Sequence, residues 1–230
     1  MPGYLSEMAD HGYSAETIGP FHRFMIPWLF ESHGVGKSAA ILDVGAGQGH
    51  AAISLHAAGW RSITVVDIDD LNFPSFRERF GFRTIRCDIA HEPLPLADDS
   101  MDAAICLHVI EHLDRTAHFL AEARRVLKVG APFFIVTPDW RKSYRTFWED
   151  PTHVRPYDKF SIVRLLRMYG FDATVQSWNS RFGLGRLQTY RLWPRLGMIG
   201  TDMIAIARKP AATAEVSAKA VRVPMARATS

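Results

Sequence analysis

Ile41-Leu42-Asp43-Val44-Gly45-Ala46-Gly47-Gln48-Gly49-His50 is an apolar run that breaks into three glycines at alternate positions, with a carboxylate two residues before the first. A strand ends this way when its backbone must lie against a nucleotide-like ligand. Glycine permits positive φ and removes the Cβ that would block a close approach. A helix that follows such a turn is expected to offer free N–H groups and the positive end of its dipole.

Outward from this turn the chain alternates apolar strands with amphipathic helices, the pattern of a parallel sheet covered on both faces. The spacing predicts strands over about 40–44, 62–66, 83–87, 103–107 and 133–137, with helices over about 49–58, 73–79 and 161–169 and a further one between Asp114 and Gly130. Gly59, Gly81, Gly130 and Gly170 stand where helices should end. Asp114 is the expected N-cap of the helix carrying Phe119, Leu120, Ala123, Val126 and Leu127. Asp158 or Ser161 should cap the next helix. Two late strands, about 172–178 and 202–208, should form an antiparallel edge, giving a doubly wound, mostly parallel α/β sheet of seven strands.

The 230 residues suit one domain with extensions. Residues 1–38 read as an N-terminal cap whose aromatic stretch forms a helix broken at Pro27. Residues 39–209 form the main domain, 179–200 an insertion or lid, and 210–230 a tail without periodicity. The hydrophobic fraction of 47% and charged fraction of 22% are ordinary for a globular protein. No apolar run approaches the roughly 20 residues that span a bilayer. The first residues lack a secretory pattern, so a cytoplasmic location is expected. Cys87 and Cys106 fall in or beside strands, as small buried hydrophobes would. A net charge of +3 does not by itself argue for nucleic acid.

A dinucleotide fingerprint would need glycine where His50 stands, and Asp43 would repel a pyrophosphate. The same carboxylate suits a ligand that carries an ammonium group. Asp43-Val-Gly-Ala-Gly-Gln-Gly49 resembles the first motif of class I S-adenosylmethionine-dependent methyltransferases. The resemblance implies that Asp43, Gly45, Gly47 and Gly49 hold the methionine part of the cofactor. It also implies that Asp67, with Ile68 after it, accepts the ribose hydroxyls, and that Asp88 and Ile89 bind adenine. Leu107 ends the fourth strand at the same edge. Asp102 to Leu113, Arg125 to Ala131 and Phe133 to Pro138 are similar to the branch that includes ubiquinone and menaquinone biosynthesis enzymes. The expected cofactor is therefore S-adenosylmethionine.

Methyl transfer from a sulfonium needs chiefly an aligned nucleophile and a dry site. Candidates for the acceptor side are His108, Glu111 and His112, whose i, i+3, i+4 spacing shares a face in a helical turn, together with His153. His108 is the expected base. The same four residues could hold a divalent metal, and they resemble the Glu-x-x-Glu-His set and distant histidine of small-RNA 2′-O-methyltransferases. His108 stands where that set has glutamate, which argues against magnesium and leaves metal the less favoured of three readings, beside acid–base contact and structural hydrogen bonding. Tyr144, Phe147 and Trp148 could stack on an acceptor or simply pack. Arg181, Arg186, Arg191 and Arg195 could grip an anion or form a solvated face. The acceptor expected is a small molecule or glycan precursor, ahead of RNA; the alternatives are a non-catalytic cofactor-binding module and an NAD-dependent oxidoreductase.

Overall fold

The computed structural model describes residues 18, 21–177 and 202–211. Strands β1 (Ile41–Val44), β2 (Ile63–Asp67), β3 (Arg83–Arg86), β4 (Ala103–Leu107), β5 (Pro132–Pro138), β6 (Asp172–Ser177) and β7 (Asp202–Arg208) form one sheet in the order β3-β2-β1-β4-β5-β7-β6. The first five strands pair in parallel, and β7 pairs antiparallel with both β5 and β6. The late pair thus makes the antiparallel edge expected from the sequence. At finer grain, β7 is the reversed strand and lies inside β6. The predicted insertion at 179–200, with its four arginines, lies outside the described residues.

The strands are near-continuous apolar runs because both faces are covered. Leu42, Val44, Ala104, Cys106, Phe133 and Ile135 face one core, while Ile41, Val65, Ile105 and Phe134 face the other. Cys87 and Cys106 are buried free thiols, each pushed up by desolvation, as the small-hydrophobe reading expects.

Helix α1 (Ile26–Ser32) does more than cap. Its Phe30 is fully buried, edge-to-face with Trp60 and against Phe134. Pro27 does not break this helix. It stands in the first turn, where its missing N–H costs nothing, and a π-helical turn, Phe21–Met25, leads into it.

Helices α2 (His50–Ala57), α3 (Phe73–Phe80) and α4 (Thr116–Val126) follow their strands as predicted. Asp114 does not cap α4. The N-cap position falls on Arg115, without a side-chain bond, and the exposed Asp114 carboxylate lies 3.6 Å from His91 Nε2. After the four-residue α5 (Trp140–Ser143), helix α6 (Lys159–Met168) opens with a reciprocal capping box that uses both candidates, Asp158 and Ser161. Among the described residues no helix is long and apolar enough to cross a membrane.

Candidate active site

Register brings the motifs together. Val44 lies opposite Val66 and Cys106, and Asp67 lies opposite Arg86, so the residues that end β1 to β4 converge on one edge. Ligands bind at this carboxyl edge in open α/β sheets.

The glycine turn is shaped by sterics. Gly45, Gly47 and Gly49 all have positive φ, at 68°, 53° and 75°. A Cβ on Gly45 would stand 2.3 Å from Val109 Cγ2, and one on Gly49 would stand 2.6 Å from Phe76 Cζ. Gly45→Ala is expected to destabilise the fold by about 2–4 kcal/mol, from left-handed strain plus overpacking. Urea denaturation measures this, and a loss under about 0.5 kcal/mol would show that the turn relaxes freely.

Four of the turn's N–H groups are paired within the fold. Gly45 and Ala46 donate to Val66 O at 2.8 and 3.1 Å, and Gly49 donates to Ala46 O at 2.7 Å. Gly47 donates to Asp67 Oδ2 at 2.8 Å. The helix end is answered too: Ala52 N–H, in the first turn of α2, donates to Asp43 Oδ2 at 3.0 Å. Asp43 is therefore an organiser of the turn, only 2% exposed, rather than an open ammonium receptor. A loop that spends its donors internally offers little to a pyrophosphate.

Acidity dominates instead. Desolvation, and next in the same direction the nearby Asp67 charge, raise the Asp43 pKa to about 7 against the pull of Ala52 N–H. Asp67 is likewise raised, mainly by desolvation. A group raised in the folded state stabilises fully below its unfolded pKa, and that contribution is lost as pH rises through the folded value. Asp43→Asn should therefore gain on the wild type between pH 5 and 8, by on the order of 2–4 kcal/mol at the upper end. Parallel pH–stability curves would contradict a buried, late-ionising Asp43.

Asp67 ends β2 as predicted; Oδ1 accepts from Asp69 N–H at 3.0 Å, and Ile68 beside it is 44% exposed. Asn72, missed in the sequence reading, donates from Nδ2 to Gly47 O at 3.1 Å and ties the turn to the start of α3. Asp88 follows β3, half-buried, with Oδ1 accepting from Ala90 N–H and Oδ2 3.0 Å from His91 Nδ1; Ile89 is buried. Leu107 is half-buried at the end of β4.

His108 is the strained residue of the site, a non-glycine with φ of 51°. Its Nδ1 lies 3.3 Å from Glu111 Oε1 and its Nε2 3.5 Å from Asp202 Oδ2. Burial alone would lower its pKa, but the carboxylates of Asp202 and Glu111 outweigh it and raise it to about 10. His108 is thus a cation at neutral pH, not the base expected from sequence. Glu111 is 0% exposed; burial works to raise its pKa, yet the His108 cation holds it lowered. Asp202, which the sequence reading passed over, opens β7 opposite Pro138 and reaches the site through that pairing.

His112 and His153 stand apart from His108, with ring centroids 4.7 Å from each other. Glu111, His112 and His153 converge, one donor atom of each within 4.8 Å of the others, and His108 is not part of that group. Beyond β5, Phe147 is buried as a packing residue, while Tyr144 and Trp148 are each 54% exposed. The N-terminal segment brings in His22, also unforeseen, whose ring centroid is 5.0 Å from that of His50. Desolvation, then the charges of His50 and His108, lower its pKa to about 4.

Residues 42–135 match a family model described as a methyltransferase domain. A probable S-adenosylmethionine-dependent methyltransferase of Mycolicibacterium smegmatis is 33% identical over 138 residues, covering 57% of this chain and 51% of that protein. A ubiquinone/menaquinone biosynthesis C-methyltransferase of Methylobacterium nodulans is 40% identical over 99 residues, 40% of this chain and 39% of its own length. The chain spans about half the length of the curated relatives it matches first. Among solved structures, a SAM-dependent methyltransferase from Archaeoglobus fulgidus superposes with a TM-score of 0.65 at 21% identity, over 90% of this chain and 99% of that one. The Burkholderia thailandensis 1,6-didemethyltoxoflavin-N1-methyltransferase, solved with its small-molecule ligand and S-adenosylhomocysteine, gives 0.63 at 18% identity, over 90% and 87%. Residues 42–135, which hold the glycine turn, are thus similar in sequence to a methyltransferase domain, and the sheet superposes on solved S-adenosylmethionine-dependent methyltransferases.

Proposed function

We propose that this protein transfers a methyl group from S-adenosylmethionine to a hydroxyl or amine of a small molecule or glycan precursor. One observation carries the choice of donor: a glycine turn most of whose N–H groups are already paired, with the Asp67 carboxylate beside it and the buried Asp43 carboxylate beneath it. Such a site repels a pyrophosphate and suits a ligand with a sulfonium and an ammonium. The residues present therefore fit the cofactor. Asp67 would take the ribose hydroxyls, the edge formed by Asp88 and Ile89 the adenine, and the glycine turn would pack against the methionine part.

When bound, the sulfonium supplies an already activated methyl group. The protein's own task is to orient the acceptor and manage its proton. His108, held as a cation by two carboxylates, is placed to bind the acceptor oxygen or a neighbouring anionic group. Asp202, in contact with His108 and nearly buried, would fix the position of that imidazole. Tyr144 and Trp148 offer exposed rings for a planar or sugar acceptor.

The named small-molecule acceptor of the Burkholderia neighbour supports this class. Incubating the protein with methyl-tritiated S-adenosylmethionine and separate pools of phenols, amines, sugar nucleotides and short RNAs tests it. Label in a small-molecule or glycan pool is expected, and label confined to RNA would overturn it.

A further inference from the structure

Segment 150–157 lies across the 3-10 turn Ile110–His112, with the N–H groups of Val154 and Arg155 both donating to Glu111 O at 2.9 and 3.0 Å. That docking gathers Glu111, His112 and His153. Glu111 is fully buried, and only its Oε2 is properly bonded, accepting from Thr137 Oγ1 at 3.0 Å. Its Oε1 makes only an ion-pair contact, 3.3 Å from His108 Nδ1, and no assigned hydrogen bond. Such an oxygen calls for an explanation.

The two imidazoles are oriented as ligands would be. His153 Nδ1 sits 2.6 Å from the carbonyl oxygen of Phe147, which can only accept, so Nδ1 carries the proton and Nε2 the lone pair. His112 Nδ1 sits 2.8 Å from Thr152 Oγ1, and the Thr152 hydroxyl gives its own proton to Asp150. His112 Nδ1 must therefore donate to Thr152, which puts the ring's lone pair on Nε2. Chains of this kind, from ligand imidazole to hydroxyl or carbonyl to carboxylate, set tautomer and ring angle around metal ions.

We infer that Glu111, His112 and His153 form a binding site for one divalent transition ion of intermediate hardness, in the class of zinc, iron(II) or manganese. Two nitrogens and one carboxylate oxygen suit those ions and not magnesium. Three protein donors leave at least one position for water or for an acceptor oxygen. A further carboxylate, Asp150, has its Oδ2 3.9 Å from His153 Nε2. His108 is not a ligand, because its two nitrogens face Glu111 and Asp202. The inference stands apart from the methyl-transfer reading, since the site could serve structure or acceptor binding alone.

The test is titration of the chelator-stripped full chain with Co(II), read by visible absorbance, and with Zn(II), read by competition against a chromogenic chelator. One ion per chain is expected, with affinity lowered about 100-fold in His153→Ala and about 10-fold in Thr152→Val, which keeps every ligand. Thermal melts and S-adenosylhomocysteine titrations of the same samples report folding and the cofactor site independently. Absence of one-to-one binding at about 100 μM metal would overturn the site. So would wild-type affinity in His153→Ala or, should that variant not fold, in Thr152→Val.

Discussion

Asp67→Ala will weaken binding of S-adenosylhomocysteine about 100-fold if, as proposed, its carboxylate takes the ribose hydroxyls while also bonding the turn. Each charge-assisted hydrogen bond to a ribose hydroxyl contributes about 1.5–3 kcal/mol, and a factor of ten corresponds to about 1.4 kcal/mol. The variant also frees Gly47 N–H from its 2.8 Å bond, loosening the turn that packs against the methionine part. Asp67→Asn keeps an acceptor and loses the charge, so its loss should stay near 10-fold. Calorimetry on both variants separates the two effects. Affinities within threefold of wild type for Asp67→Ala would remove this residue from the cofactor site.

His108→Ala will destabilise the protein most in mid-range pH. The His108 cation is flanked by Glu111 and Asp202, and its removal leaves the fully buried Glu111 carboxylate uncompensated. Breaking a buried pair costs about 3–5 kcal/mol, and the one-third exposure of His108 argues for the lower end, about 2–3 kcal/mol at pH 7. The window follows from the shifts. His108 is raised, so its contribution is complete below about 6.5 and is lost as pH climbs through about 10. Glu111 is lowered, so its contribution is present above 4.5 and is lost as pH falls through its depressed folded value. Urea denaturation from pH 4 to 10 should show the gap between wild type and variant narrowing toward both ends. A gap independent of pH would mean that lost packing, and not charge, is the cause.

What could be read from the sequence was whatever is local. Glycines at alternate positions after an apolar run, and an aspartate at or just past the end of the second and third strands, are features of contiguous residues, and sheet register then carries them to one edge. Asp202 could not be found this way. It is far from His108 in sequence and becomes its partner only because β7 runs back along β5, pairing Asp202 with Pro138. A late aspartate opening an apolar strand was the sole signal. His22 was hidden in an aromatic stretch that read as a cap, of which Phe30 is buried and Trp28 packs against the core while Phe24 is exposed. The protonation state of His108 was illegible for the same reason as Asp202: from the motif alone it has one carboxylate neighbour, whereas the fold supplies two. The following helix was expected to offer free N–H groups, but Ala52 N–H is taken by Asp43, a pairing set only by how the helix packs back on β1. Helix ends show the limit at small scale, since Asp158 and Ser161 share one cap while Asp114 misses its own by one residue.

Calorimetric titration of the full chain with S-adenosylhomocysteine, S-adenosylmethionine and NAD tests the identity of the ligand most directly. One-to-one binding of both sulfur ligands in the micromolar range is expected, with no heat from NAD and with the sulfur ligands weakened by Asp67→Ala. Silence from both sulfur ligands, or preferential binding of NAD, would contradict an acidic turn built for a sulfonium donor.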